Sequence, residues 1–109
     1  TALKAVLDVD PGEPRAWAYK AAIANLKADP AGEKEARTKA LARWDANPQV
    51  DHIIGRKLSQ DYRFKEGAGY QRLALEKDAT YLPAKAQLAQ DLLRLGDEKE
   101  GWKLAAEVF

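Results

Sequence analysis

The stretch that decides the fold is residues 54–109, IGRKLSQDYRFKEGAGYQRLALEKDATYLPAKAQLAQDLLRLGDEKEGWKLAAEVF, in which apolar and small residues recur at a fixed interval. Gly55 is followed after 34 residues by Ala89, and the pair Ala74-Leu75 is followed after 34 residues by Val108-Phe109. The same interval extends toward the N-terminus and adds further positions: Val6, Leu7, Trp17, Ala21, Ala40, Leu41, Asp51 and Lys85. A period of about 34 residues without insertion is typical of a helix–turn–helix repeat array.

Helix-start and helix-end signals divide the whole chain into short helical segments. Asp29-Pro30 and Asn47-Pro48 each place a capping side chain before proline at the first helical position, and Gly96 provides a stop signal. No segment alternates apolar and polar residues with a strand period, so we expect an all-α fold. The expected helices cover residues 1–9, 14–27, 30–44, 48–62, 65–77, 83–95 and 98–109.

Composition excludes several classes of function. The net charge of +1 comes without a basic block, so nothing indicates nucleic-acid binding. The absence of cysteine excludes disulfides, thiolate zinc sites and cysteine nucleophiles, and it leaves the redox compartment undetermined. No apolar run approaches the roughly 20 residues that span a bilayer, and we expect a soluble chain without membrane insertion, with the cytoplasm favoured. The absence of methionine and two termini that interrupt repeats indicate a fragment of a longer protein.

The quoted stretch resembles tandem tetratricopeptide (TPR) repeats. Ile54-Gly55 and Leu88-Ala89 match the large–small pair of that family, Gly96-Asp97 matches its turn, and Ala74-Leu75 and Val108-Phe109 match the core of its second helix. The resemblance implies an α-solenoid of antiparallel helix pairs wound into a right-handed superhelix, with roughly three repeats in this chain. The single repeat domain, 1–109, then divides into the end of a repeat (1–10) and repeats at 14–47, 48–81 and, incomplete, 82–109.

The first repeat follows the family pattern least closely. Lys20 stands where a large apolar residue is expected, and Glu33 stands where a small one is expected. A slip of one residue would place Gly32 at the close contact between helices instead. Gly67 and Gly101 lie inside expected helices, where glycine costs about 1 kcal/mol relative to alanine, so we expect a packing reason for them.

The resemblance also implies a concave groove lined by the first helix of each pair. Its candidate peptide-binding residues are Arg15, Asn25, His52, Arg56, Ser59, Gln60, Gln90 and Arg94. Independently of the family, the i, i+4, i+7 spacing of His52, Arg56 and Ser59 places these three side chains on one helix face. The candidate set contains three arginines and no carboxylate, so the expected ligand is an acidic peptide segment or a free C-terminus of a partner protein. The alternative is that these are ordinary solvated positions of a structural spacer.

Nothing in the sequence indicates catalysis. No serine–histidine–acid set is present, His52 is the only histidine and has no companions for a metal site, and no cofactor is expected. The first hypothesis is therefore a protein–protein interaction scaffold. A second is a structural or regulatory segment of a larger protein, because the repeats also resemble helical arrays of bacterial proteins that carry a zinc-peptidase domain elsewhere. A third is self-association through the apolar C-terminal end, which includes Trp102 and Phe109.

Overall fold

Seven α-helices and no strands make up residues 2–109, which are the residues that the computed structural model describes. Thr1, the first residue of the expected N-terminal segment, lies outside that range. The all-α expectation is thereby confirmed. The helices are α1 (Ala2–Val9), α2 (Pro14–Leu26), α3 (Pro30–Ala40), α4 (Pro48–Gln60), α5 (Phe64–Lys77), α6 (Leu82–Leu95) and α7 (Glu98–Val108).

The helices begin and end largely at the capping signals in the sequence. The Asp29 carboxylate accepts a hydrogen bond from the Gly32 amide at 3.0 Å, and the Asn47 side chain accepts one from the Gln49 amide at 3.0 Å. These bonds satisfy amides that have no partner within the first helical turn. At the end of α6, Gly96 adopts the left-handed conformation with φ of 88°, which glycine reaches without steric cost.

The expected end of α3 near Trp44 is wrong. The helix stops at Ala40, after which the Ala42 amide bonds to the carbonyl of Lys39, three residues back. After that turn, the Arg43 guanidinium pairs with Asp10, which lies in the connection between α1 and α2. Trp44 therefore lies in a connection with 57% of its surface exposed. The other boundaries differ from expectation by one or two residues.

Helices that are consecutive in the chain pack against each other in pairs. α2 packs on α3, α4 on α5, and α6 on α7, while α1 contacts α2. The first helices of successive pairs also contact each other, since α2 packs on α4 and α4 touches α6. A further contact between α5 and α6 connects the second and third pairs. One side of the molecule is thus formed by α2, α4 and α6 in sequence order.

The backbones of α4 and α5 approach each other closely at Gly55 and Gly67. A Cβ atom added at Gly67 would lie 2.8 Å from the Gly55 carbonyl oxygen, and one added at Gly55 would lie 2.7 Å from the Gly67 carbonyl oxygen. Neither distance leaves room for a side chain, which supplies the packing reason expected for Gly67. Gly69 is different, because nothing lies within 4 Å of its added Cβ, and the structure does not explain that glycine.

In α3 the structure favours Glu33 over Gly32 as the residue that contacts another helix. The three atoms nearest to a Cβ added at Gly32 all belong to Asp29, the capping residue of the same helix. Glu33 instead extends from α3 to α5, where its carboxylate accepts a hydrogen bond from the Tyr70 hydroxyl. A long polar side chain therefore bridges the two helices where a small residue was expected.

Most of the buried core is built from alanine, with a few larger aliphatic residues on α4 and α6. Ile54 and Leu58 on α4 are fully buried among the alanines of α2 and α3, and Leu88 on α6 packs with Ala68 of α5. Trp17 is partly buried against the same core, and its indole donates a hydrogen bond to the Pro11 carbonyl oxygen at 2.6 Å. Small side chains allow the helices to lie close together.

Candidate functional site

Two adjoining cavities lie along the side formed by α2, α4 and α6. The first, here called the His52 cavity, has a volume of about 540 Å³ and is lined by residues of α1, α2, α4 and the start of α6. The second, the Asp91 cavity, has a volume of about 510 Å³ and is lined by α4, α6 and the connection into α5. Both volumes lie in the range of small-ligand and peptide sites. Arg56 and Gln60 line both cavities, so the two cavities are direct neighbours.

Seven of the eight sequence-predicted residues line these cavities. The His52 cavity contains Arg15, His52, Arg56 and Gln60, and the Asp91 cavity contains Arg56, Ser59, Gln60, Gln90 and Arg94. His52, Arg56 and Ser59 have i, i+4, i+7 spacing on α4, so they share one helix face. That single face contributes residues to both cavities. That these residues bind a peptide stays a prediction.

Asn25 is the one candidate that the structure does not bring together with the others. Its side-chain amide donates to Glu33 at 3.0 Å and to Glu66 at 2.7 Å, which holds it between α3 and the start of α5. These contacts lie beside a separate, smaller depression that Arg63 also lines. Asn25 therefore serves the packing of three helices rather than the two cavities.

His52 is fixed in the wall of its cavity by Gln71 of α5. The Gln71 amide donates to the His52 carbonyl oxygen at 3.1 Å, and the Gln71 side-chain oxygen lies 2.9 Å from His52 Nδ1. Because that oxygen can only accept, Nδ1 carries the proton in the neutral ring, and Nε2 is left as an acceptor. Burial lowers the pKa of His52, and the charge of Arg56 lowers it further, although the Gln71 hydrogen bond opposes both effects. The ring is therefore neutral at physiological pH.

The three candidate arginines differ in how well their charge is already paired. Arg15 donates from Nε to the Glu13 carboxylate at 3.0 Å. Arg56 is exposed and makes no ion pair with any residue in the range 2–109. Arg94 lies over the ring of Phe64, with its guanidinium carbon 5.7 Å from the ring centroid, and it too has no carboxylate partner among the described residues. Arg56 and Arg94 are thus the cations that a ligand can reach.

The floor of the Asp91 cavity carries a buried carboxylate. Asp91 is 1% exposed, its Oδ1 accepts a hydrogen bond from Gln87 at 3.0 Å, and its Oδ2 has no hydrogen-bond partner. The Ser59 hydroxyl, 7% exposed, lies beside Asp91 and packs against α5 at Gly67. Burial raises the pKa of Asp91, and the neighbouring Gln87 and Ser59 side chains offset part of that rise.

The two cavities also contain carboxylates, which the candidate residue set does not include. Glu13 lines the His52 cavity and Asp91 lines the Asp91 cavity. Asp91 was missed because it is not one of the groove positions that the family resemblance implies. A signal was present, however, since Asp91 follows Leu88 by three residues and so lies on the apolar face of its helix.

A second buried carboxylate, also missed from the sequence, lies behind the cavities. Asp51 of α4 is fully buried, and it accepts hydrogen bonds from Arg37 Nε of α3 at 2.7 Å and from Lys77 Nζ of α5 at 2.7 Å. The hydrogen bond to Asp51, with the Asp51 charge, raises the pKa of Arg37. Two cations on one carboxylate compensate its desolvation, so this cluster connects three helices rather than offering a binding site.

The described residues limit the other chemistry available to this chain. Residues 2–109 contain no group of three or more histidine, aspartate or glutamate side chains placed to hold a metal ion. None of the seven helices is long and apolar enough to cross a membrane. No protein-family model and no curated protein matches the chain.

Proposed function

We propose that this chain is a protein–protein interaction scaffold that binds an acidic peptide segment of a partner protein in a groove formed by the His52 and Asp91 cavities. The observation that carries the proposal is that the cavities share Arg56 and Gln60 and follow the side of the molecule formed by α2, α4 and α6. A ligand that fills both must be extended. The proposed role is binding rather than catalysis.

The proposed architecture is an α-solenoid of TPR type, with a right-handed superhelical twist. Its support is the order of helix contacts, because three consecutive helix pairs contact each other in chain order, the first and second through α2 and α4, the second and third mainly through α5 and α6. The 34-residue interval in the sequence gives the same division into pairs. In such an array each pair adds one first helix to a common surface, and that surface is the usual binding face of helical repeat proteins.

Charge supports an acidic peptide as the ligand. Arg56 and Arg94 bring unpaired guanidinium groups to the groove, and guanidinium groups bind carboxylates in two-point geometry. The exposed amides of Gln60 and Gln90 have both a donor and an acceptor, which suits the N–H and C=O groups of an extended peptide backbone. Arg15 contributes less, since Glu13 already pairs with it.

The test is binding of fluorescein-labelled acidic peptides, measured by fluorescence polarisation at low salt. We expect Arg56→Ala and Arg94→Ala each to weaken binding by about tenfold, because each removes a cation that has no other partner. Peptides with a free and with an amidated C-terminus distinguish side-chain carboxylates from a terminal one.

The matched control is Lys99→Ala. This change removes one positive charge from an exposed position on α7 that lines neither cavity. An equal effect of all three substitutions would indicate a general attraction by net charge. Unchanged binding in both arginine variants would contradict the groove.

A further inference from the structure

The first helix of each pair is followed by the same backbone turn, at an interval of 34 residues. The turn contains a residue with positive φ, which is Ala28 (57°) after α2, Tyr62 (67°) after α4 and Gly96 (88°) after α6. In each case the amide of that residue bonds to the carbonyl three residues back, and the next amide bonds to the carbonyl five residues back. Glycine is the usual residue at this position of a helix-ending turn.

Tyr62 is the least suited of the three residues to its position. A Cβ atom is crowded in the left-handed conformation, so tyrosine destabilises this turn relative to glycine. Packing does not offset the loss, because the Tyr62 side chain is 79% exposed. Its hydroxyl also makes no hydrogen bond within residues 2–109. A strained residue that does not serve the fold is a candidate for function.

The Tyr62 ring lies at the Asp91 cavity, beside a second ring and two cations. It meets Phe64 edge to face, with the ring centroids 6.1 Å apart and the ring planes at 83°, and both residues line the cavity. Arg56 and Arg94 line it as well, and neither has a carboxylate partner in the described part of the chain. These charges disfavour a cationic ligand and favour carboxylates.

An aromatic side chain suits the exposed Tyr62 ring better than an aliphatic one. Aromatic rings in offset or edge-to-face contact gain free energy beyond that of the apolar area they bury. Tyrosine and arginine are also enriched among the residues that contribute most to binding at interfaces. A ring that packs on Tyr62 leaves Arg56 and Arg94 free to pair with acidic residues on either side of it.

We propose that Tyr62 is a binding residue of the groove and packs against an aromatic side chain that is flanked by acidic residues in the bound peptide. The flanking carboxylates pair with Arg56 and Arg94. This inference rests on the proposed function and specifies its ligand, because it adds an aromatic residue to the acidic segment. It also accounts for a tyrosine at a position where glycine would stabilise the turn.

The experiment compares three acidic peptides of equal length and charge that differ only in their central residue, which is phenylalanine, leucine or alanine. We expect the wild-type chain to bind the phenylalanine peptide about tenfold more tightly than the alanine peptide and about threefold more tightly than the leucine peptide. In Tyr62→Gly that preference should disappear, while the melting temperature should rise by about 4 °C because the strain is relieved. A purely structural role of Tyr62 would not combine weaker binding with higher stability.

The controls separate the ring from the turn that carries it. Ala28→Gly changes the same turn 34 residues earlier, at a position that lines neither cavity. It should raise the melting temperature as well, but leave the three affinities unchanged. Tyr62→Phe keeps the ring and should keep both the preference for phenylalanine and the melting temperature of the wild-type chain.

Equal affinity of the wild-type chain for the phenylalanine and alanine peptides would overturn the inference. Equal affinity for the phenylalanine and leucine peptides would do so too, since it would indicate an apolar site without aromatic selectivity. An unchanged preference in Tyr62→Gly, or a lower melting temperature of that variant, would also contradict it. If Arg56→Ala still weakened binding in these cases, the groove would stand without the aromatic site. Absence of binding by all three peptides would overturn the inference and the proposed function together.

Discussion

His52 is a cavity residue whose protonation changes the stability of the fold. Burial of its ring, together with the nearby charge of Arg56, holds its pKa below the ordinary value near 6.5, although the hydrogen bond to Gln71 opposes both effects. In the unfolded chain the ring regains that ordinary pKa, so below pH 6.5 the unfolded state binds the proton more readily. The stabilisation that comes from the lowered pKa of His52 is therefore complete above the pKa of the unfolded state. It is lost as the pH falls through the pKa of the folded state.

We expect His52→Asn to reduce the dependence of stability on pH in the mildly acidic range. The asparagine amide can donate to Gln71 in place of Nδ1 but does not titrate. Between about pH 7.5 and about pH 5.5, the wild-type chain should lose free energy of unfolding relative to the variant. Urea denaturation followed by circular dichroism measures this difference.

The carboxyl groups do not obscure that comparison, because they are shared by both proteins. Arg43 lowers the pKa of Asp10, and Arg72 lowers the pKa of Glu100, so these ion pairs titrate at lower pH and cancel in the difference. Parallel pH curves for the wild-type chain and His52→Asn would contradict the assigned role of the ring.

At the scale of helices, the contact of α4 with α5 depends on two glycines facing each other. The Gly55 and Gly67 backbones meet without intervening side chains, and the Ser59 hydroxyl occupies the remaining space beside Gly67. The neighbouring Gly69 lies on the same helix but faces open space. The two glycines of α5 therefore provide a matched pair of sites in one helix.

We expect Gly67→Ala and Gly69→Ala to change stability in opposite directions. The methyl group at position 67 would lie 2.2 Å from the Ser59 hydroxyl oxygen and 2.8 Å from the Gly55 carbonyl oxygen. The helices must then separate, at a cost of about 1–3 kcal/mol. At position 69 alanine only favours the helix and should stabilise by up to about 1 kcal/mol. Thermal unfolding measures both, and a stabilised Gly67→Ala would contradict the close contact.

Helix starts were predictable from the sequence, whereas some helix ends were not. Asp29 and Asn47 act through bonds to amides within their own first turn, so local sequence suffices to locate the starts. Just after the end of α3, Arg43 pairs with Asp10, a partner 33 residues away. A contact over such a distance in sequence leaves no local pattern, and the expected helix therefore ran on to Trp44.

The same distinction holds for the candidate site. The common face of His52, Arg56 and Ser59 follows from helical periodicity, which is local. Asn25 was misplaced because its partner Glu66 lies 41 residues further along the chain. Asp91 and Asp51 were visible as acidic residues on apolar helix faces, but their partners come from tertiary structure. The sequence thus predicts which side chains share a helix face, and packing decides which faces meet.

At the scale of the whole molecule, the C-terminal end around α7 exposes large apolar side chains that could support self-association. Trp102 is 64% exposed and Phe109 is 82% exposed, both at the C-terminal end. Large apolar side chains exposed together are typical of surfaces that contact another element or another chain. Self-association through this end stays a prediction.

We expect the chain to form larger species as its concentration rises, and Trp102→Glu to shift them toward monomer. Sedimentation velocity over a range of concentrations measures the effect. Trp44→Glu is the matched control, because Trp44 is 57% exposed but lies in the connection between α3 and α4. A monomer at every concentration, or an equal effect of the two substitutions, would contradict association through α7.

The three-way bonding of Asp51 has a consequence for the order in which the chain can become stable during synthesis. Arg37 leaves the ribosome before Asp51, but Lys77 follows it by 26 residues. Until Lys77 has emerged, burial of the Asp51 carboxylate rests on a single cation, and an incomplete network of buried charges is costly. The first two helix pairs are therefore expected to lock together only once α5 is complete, so that a nascent chain ending earlier exposes α4 to chaperones and proteases.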